Sequence, residues 1–259
     1  YSSILMGLRY DYNSIHGNIF TPRFNYKASN KNKSSTIRFS LGSGYRIARV
    51  FTEDHAALTG AREVVFLENL NPERSWNINI NFVKNIYAKQ GYILNFDTNL
   101  FWTEFSNKIV PDYDSDPNKI IYSNLNGKSI NQGASINFNS LFNRGLRVNL
   151  GATYIDSSIF ENGKKFIPYL TENFQGTWKI EKKFNKSQYK IDLNGNIIGK
   201  MRLPRLGPLD PREEYSPIFS IINLQIAKSI KNNYELYGGI KNILNFTPSK
   251  FSIARSFDP

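Results

Sequence analysis

The 259-residue chain has no cysteine, two histidines and two methionines. Without cysteine there is no disulfide framework, no thiolate zinc site and no cysteine nucleophile. The two histidines, His16 and His55, show no HExxH or other paired spacing, which excludes an imidazole-rich metal centre. No apolar run approaches the ~18–20 residues of a spanning helix. With a mean hydropathy of −0.43, a helical membrane protein is excluded. Carboxylates are the minority charge: 21 Asp+Glu stand against 33 Lys+Arg, a formal +12. That excess points to anionic partners without choosing among nucleic acid, lipopolysaccharide and an acidic solute. Aromatic residues, by contrast, are plentiful at 14%, too much buriable surface for a disordered chain.

Amphipathic helical periodicity is scarce, and period-2 alternation dominates. Trp76, Ile78, Ile80 and Phe82 share one face while Asn77, Asn79 and Asn81 share the other. Leu146, Val148, Leu150, Ala152 and Tyr154 likewise oppose Arg147, Asn149, Gly151 and Thr153. One side is greasy and the other is wetted. The pattern predicts about eleven strands, at 3–12, 20–29, 35–45, 74–85, 91–109, 128–140, 146–158, 170–184, 188–202, 217–230 and 234–246, with a short extra one near Ile120–Asn124. Several reach the ~9–11 residues of a tilted membrane strand, against ~5–6 in globular sheets.

Connections alternate between two kinds. Tight turns fall at Asn30–Ser34, Asn85–Gln90, Leu141–Gly145, Asn185–Ser187 and Lys231–Asn233; long loops fall at Asn13–Ile19, Arg46–Glu73, Val110–Gly127, Ile159–Tyr169 and Leu203–Ser216. In an antiparallel meander alternate connections share a rim, so one rim carries turns and the other carries loops. That asymmetry marks an outer-membrane barrel, with short periplasmic turns and long extracellular loops. A soluble sandwich is the alternative, and its apolar faces would pack against each other. Eleven strands leave two unpaired edges, which lipid does not tolerate, so the chain reads as part of a larger cylinder. Barrels of 22 strands are plugged transporters.

Several segments resemble TonB-dependent outer-membrane receptors: Gly7–Tyr12 followed by Phe20–Arg23, Gly44–Glu53 followed by Leu70–Trp76, and Gly239–Phe246, which is similar to the penultimate strand of those receptors. The resemblance runs over nearly the whole chain, 1–259, in the family's order. It implies the C-terminal part of a barrel without its last strand, an N-terminal plug and TonB box that are not among these residues, and an outer-membrane location in a Gram-negative bacterium. It further implies TonB-energised import of a scarce solute, a ferric siderophore first and cobalamin or haem next. A surface-exposed structural or adhesive barrel is the alternative function.

Chemistry-bearing residues concentrate in the loops. Arg46, Arg49, Arg62, Arg202, Arg205 and Arg212, with Tyr113, Tyr169 and Tyr215, predict a positive mouth for a small anionic or metal-chelate ligand, because guanidinium forks fit carboxylate, catecholate and phosphate oxygens. His55 is a further ligand candidate, while His16 reads as a solvated loop residue. Asp112, Asp114 and Asp116 have the alternate spacing of a calcium loop, but Pro117 and Ser123 occupy the EF-hand's Gly and Glu positions, leaving at most a loose Ca²⁺ site. Gly127–Ser129 lacks the upstream glycine of a phosphate loop, where Tyr122 stands, and no Gly-x-Ser-x-Gly elbow is present. Neither a catalytic constellation nor a cofactor motif emerges. Lys31, Lys33, Lys182, Lys183, Lys186, Lys228 and Lys231 gather at the short-turn rim, and lipid or lipopolysaccharide is an expected neighbour. Trp76, Trp102, Tyr45, Phe105, Phe184, Tyr189, Phe219 and Tyr234 read as interfacial girdles rather than a nucleic-acid platform, there being no RNP-type motif. Asn77, Asn79, Asn81, Asn95, Asp97, Asn99, Arg147 and Asn149 are expected to face the lumen and to hydrogen-bond plug and water.

Overall fold

The structure, a computed structural model, describes residues 1–47, 62–88, 91–112, 115–116, 118–203, 213–230 and 234–247. Eleven strands, β1 (Ser2–Asn13), β2 (Gly17–Ser29), β3 (Ser35–Arg46), β5 (Glu73–Tyr87), β6 (Ile93–Phe105), β9 (Gly127–Phe142), β10 (Leu146–Glu161), β12 (Phe174–Phe184), β13 (Tyr189–Ile198), β14 (Phe219–Ile230) and β15 (Tyr234–Ile240), form one antiparallel sheet in that order. A short β11 (Lys164–Phe166) hangs on β10. The remaining strands, β4 (Glu63–Phe66), β7 (Ile109–Asp112) and β8 (Lys119–Asn124), make a separate three-stranded sheet.

Register carries the alternation across the whole sheet. Tyr26, Phe39, Ile80, Leu100, Ala134, Tyr154 and Phe174 form one rung across seven strands. On the opposite face, Asn85, Asn95, Asn139, Asn149, Lys179, Asn194 and Asn223 form a polar rung. Its amides bond to one another: Asn95 Nδ2 donates to Asn85 Oδ1 at 2.8 Å, Asn139 Nδ2 to Asn95 Oδ1 at 3.1 Å, and Asn223 Nδ2 to Asn194 Oδ1 at 3.1 Å. A shift of one residue anywhere would swap these faces, so the pattern pins the pairing.

Among the described residues nothing packs on the apolar face. Leu100 is 50% exposed and Leu150 47% exposed although both sit mid-strand. Among the described residues only Ile19, Ile120, Tyr122, Leu125 and Ala227 are buried hydrophobics, and Ile120 and Tyr122 belong to the small sheet. A sandwich is therefore excluded, because it would seal these side chains between two layers. The apolar stretch of β10, Leu146–Tyr154, is about 27 Å long at roughly 3.4 Å per residue. Tilted by about 40°, it covers some 20 Å, near the apolar band of a barrel wall. The sheet remains open, with β1 and β15 as its edges.

The eleven predicted strands all form, but several ends move. The strand predicted over 91–109 stops at Phe105, where the chain bends away into β7. That over 170–184 starts at Phe174, because Leu170 takes a left-handed φ of 53°. That over 188–202 ends at Ile198. Gly239–Phe246 is strand only to Ile240, since Asn242 and Asn245 adopt φ near 50° and Asn242 caps Phe246 through reciprocal hydrogen bonds of 2.8 and 3.0 Å. Asparagine tolerates that region better than most residues. The short extra strand expected near 120–124 is β8, and the loop predicted at 159–169 holds the β10–β11 hairpin. Its Asn162-Gly163 turn has both φ values positive, the sequence signature of a tight hairpin.

If the apolar face meets hydrocarbon, Leu150→Arg costs about 2–4 kcal/mol of folding stability in a bilayer. Asn149→Arg, one residue along and on the polar face, shifts the same denaturant titration by less than about 1 kcal/mol. Equal costs for the two variants would refute this assignment of faces.

Candidate ligand-binding rim

The long connections meet at one rim, and two of them are welded together. β4, from the β3–β5 connection, pairs in parallel with β8 from the β6–β9 connection, and β7 pairs with β8 antiparallel. Ile120 and Tyr122 form the core of this small sheet, packed by Val64, Leu70 and Ile109. Asn124 fastens it from below: its Oδ1 accepts from Asn71 N–H at 2.7 Å, and its Nδ2 donates to the carbonyls of Asn71 at 3.0 Å and Asn107 at 3.2 Å. The loops thus hold a folded unit above the wall.

Glu73 ties that unit to the wall. It lies on the polar face, in register with Arg46 and two residues before Ser75. Only 4% exposed, its carboxylate must be paired. Arg46 Nε meets Oε2 at 2.6 Å, and the Ile109 N–H, which opens β7, donates to Oε1 at 2.9 Å. Beside them Lys108 lines a cavity of about 310 Å³ together with Gly44, Arg46, Glu73, Ser75 and Phe105. The Lys108 ammonium stands 5.7 Å from the Phe105 ring centroid. Burial pushes its pKa below the ordinary lysine value; Glu73 opposes the shift and Arg46 adds to it.

A second cluster joins three predicted residues. Arg202 stacks its guanidinium 4.6 Å from the Tyr169 ring centroid, and isolated bridges link Arg202 to both Tyr169 and Tyr215. Its Nε lies 3.4 Å from Glu214 Oε1, and its Nη1 donates to the Ile167 carbonyl at 3.3 Å. A cavity of about 390 Å³ adjoins it, lined by Arg202, Tyr215, Lys165, Lys200, Asp156 and Glu172 among others.

Arg46, Tyr169, Arg202 and Tyr215 are thus placed in two groups at the loop rim. Arg62 stands one residue before β4 of the small sheet. Arg49, His55, Tyr113, Asp114, Arg205 and Arg212 lie outside the described residues. Asp112 accepts from Ser115 through N–H and hydroxyl, and Asp116 Oδ1 accepts from Asn118 N–H at 2.8 Å. Both carboxylates thus cap turns of their own loop. Among the described residues no group of three His, Asp or Glu converges on a metal position. Glu73 and Lys108 complete the first site without having been singled out in the sequence. The parity of the Asn77–Asn79–Asn81 face extends back to Glu73 and identifies its side; nothing local identifies Lys108.

The profile of the TonB dependent receptor-like β-barrel family matches residues 2–243, and the chain belongs to that family. It is an outer-membrane barrel wall, its polar face toward the lumen and its apolar face toward lipid. The family is one of receptors rather than enzymes. No curated relative matches the sequence. Among solved structures, the chain is similar to the Pseudomonas aeruginosa ferric enterobactin receptor in complex with enterobactin (TM-score 0.70, 14% identity, covering 95% of this chain and 38% of that one). It is also similar to the FrpB iron transporter of Neisseria meningitidis (0.65, 13%, 89% and 35%) and to P. aeruginosa FpvA bound to a ferric pyoverdine (0.67, 15%, 90% and 30%). The chain spans 30 to 38% of the length of these three proteins.

Removing the clamp tests its role. In Glu73→Ala the Ile109 amide loses its acceptor, and its hydrogen exchange rises about tenfold, as expected for a lost hydrogen bond of ~1.4 kcal/mol. Unchanged protection would show that β7 is held in place without Glu73.

Proposed function

We propose that this chain is the C-terminal part of the barrel of a TonB-driven receptor that imports a scarce nutrient carried as a small anionic or metal-chelate ligand, with a ferric siderophore as the leading class and cobalamin or haem behind it. The reading is supported chiefly by the mouth: Arg46 and Lys108 line a lumen-side cavity in which Glu73, the one carboxylate among the described lining residues, is already committed to Arg46 and to Ile109. Among the described residues two cations and one carboxylate line this cavity, and a half-buried cation such as Lys108 attracts anionic oxygens more strongly than one on the open surface does. The Tyr169–Arg202–Tyr215 cluster offers a second, aromatic-flanked guanidinium on the same rim.

The mechanism makes and breaks no covalent bond. Ligand oxygens enter the fields of Arg46 and Lys108, and water leaves the cavity. A plug and TonB supply the conformational work of passage. Lumen-side Asn95, Asn139 and Asn149 present amides to whatever fills the barrel. This assignment adds Lys108 to the binding residues predicted from sequence.

Uptake decides the reading. A deletion strain supplied with single ferric siderophores, haem or cobalamin grows on its cognate source only when complemented. Arg46→Ala combined with Lys108→Ala and Arg202→Ala lowers ligand affinity at least tenfold while the barrel still assembles. Full uptake by the triple variant sinks the binding site, and adhesion without any uptake sinks the transport reading in favour of a surface-binding role.

The depressed Lys108 pKa adds a pH signature. Its ammonium is lost as pH rises through a window below the ordinary value of ~10.4. An anion stabilises the charged form, so affinity falls across that window and binding there takes up a proton. Lys108→Arg, which holds its charge to higher pH, flattens the profile across that window. A wild-type profile as flat as that of the arginine variant would exclude Lys108 from the site.

A further inference from the structure

The two rims of the lipid-facing side handle charge differently. At the loop rim charges are compensated: Lys128 Nζ lies 3.4 Å from Glu104 Oε2, and Lys165 Nζ lies 3.8 Å from Asp156 Oδ1. The turn rim has no such balance. Register places Lys84, Lys182 and Lys228 on the lipid-facing side, and the turns add Lys31, Lys33, Arg144 and Lys186. The acids near this rim, Glu181, Asp192, Asp97 and Glu235, all fall on the lumen side by the same register. Among the described residues, therefore, the lipid-facing side of this rim carries cations and no carboxylate.

Two of these cations are built into a frame. Lys182 Nζ donates to the Arg144 carbonyl at 3.0 Å and lies 5.7 Å from the Phe184 ring centroid. Lys228 Nζ sits 4.9 Å from the Tyr189 centroid. Phe184 pairs with Tyr189, and Tyr189 pairs with Lys228, so two rings lie between two ammonium groups on β12, β13 and β14. Strands two apart are about 10 Å apart across the sheet. Aromatic rings settle at headgroup depth, and lysines beside them extend their ammonium toward phosphate.

We infer that the turn rim binds anionic phospholipid of the periplasmic leaflet, with the Lys182–Phe184–Tyr189–Lys228 frame, backed by Arg144, as a headgroup site. Its ligand chemistry is the phosphodiester, and two ammonium groups this far apart suit a lipid with two phosphates such as cardiolipin, or two phosphatidylglycerol molecules. The apolar face below the site takes the acyl chains. Uncompensated cations at a lipid interface draw anionic headgroups, whereas the paired charges of the loop rim do not. The inference rests on the membrane placement of the wall and is independent of the cargo.

Native mass spectrometry of the intact receptor, equilibrated in micelles with equal amounts of cardiolipin, phosphatidylglycerol and phosphatidylethanolamine, tests it. The receptor retains cardiolipin and phosphatidylglycerol over the zwitterionic lipid, and K182Q/K228Q loses roughly thirtyfold in anionic-lipid affinity. K182R/K228R keeps that affinity, raised salt weakens it, and heat-modifiable gel mobility shows that each variant is folded. K128Q/K165Q at the other rim leaves retention unchanged. Equal retention of the zwitterionic lipid, full retention by folded K182Q/K228Q, or preference for added lipid A over phospholipid would overturn the inference.

Discussion

A single-layer sheet with one greasy face has nowhere in water to put that face, and everything else in this protein follows from that constraint. The eleven-strand meander satisfies its backbone groups strand against strand, yet Leu100, Ile136 and Leu150 stay about half exposed. Hydrocarbon outside the sheet supplies what a second protein layer supplies in a sandwich. It also explains why the described fully buried apolar residues are so few. The wall gains its stability from the lipid and from register rather than from a core.

The polar face obeys the complementary rule. Side chains on a wetted lumen wall need partners, and the rung from Asn85 to Asn223 provides them within the sheet. Asparagine suits this place, since its short amide both donates and accepts and bridges one strand spacing. Lower on the same face Lys179 Nζ reaches Asp192 Oδ2 at 2.6 Å, and Arg147 Nη1 stands 3.6 Å from Glu181 Oε1, so the lumen charges are largely self-compensating. Among the described residues, cations without a carboxylate beside them gather instead on the outside of the turn rim.

The physics separates what was legible in the sequence from what was not. Water on one side and lipid on the other impose a period of two, so all eleven long strands and the sorting of turns from loops could be read directly. Strand ends could not, because single residues decide them: Leu170, Asn242 and Asn245 leave the extended region for left-handed φ. The three-stranded loop sheet was hidden except for β8, since a parallel pair between residues near 64 and 120 leaves no local trace. Asn162-Gly163 was a readable hairpin signal, being local. At the rim, Arg46, Tyr169, Arg202 and Tyr215 carried recognisable chemistry. Lys108 did not, because its environment is assembled by β3, β5 and β6 together.

The small sheet above the mouth changes how the loops meet a ligand. A long loop without structure pays ordering entropy at each binding event. Here two loops share a core at Ile120 and Tyr122 and a lock at Asn124, so part of that cost is met on folding. Glu73 then fixes where the unit stands, because one carboxylate holds the end of β3 through Arg46 and the start of β7 through Ile109. The same residue pairs with one of the two cations that line the adjoining cavity among the described residues. One side chain thus both supports the loop sheet and lines the cavity beneath it. On the proposed function an anion at Arg46 competes with Glu73 Oε2 for that guanidinium, while the bond that seats β7 runs from Ile109 to the other oxygen, Oε1.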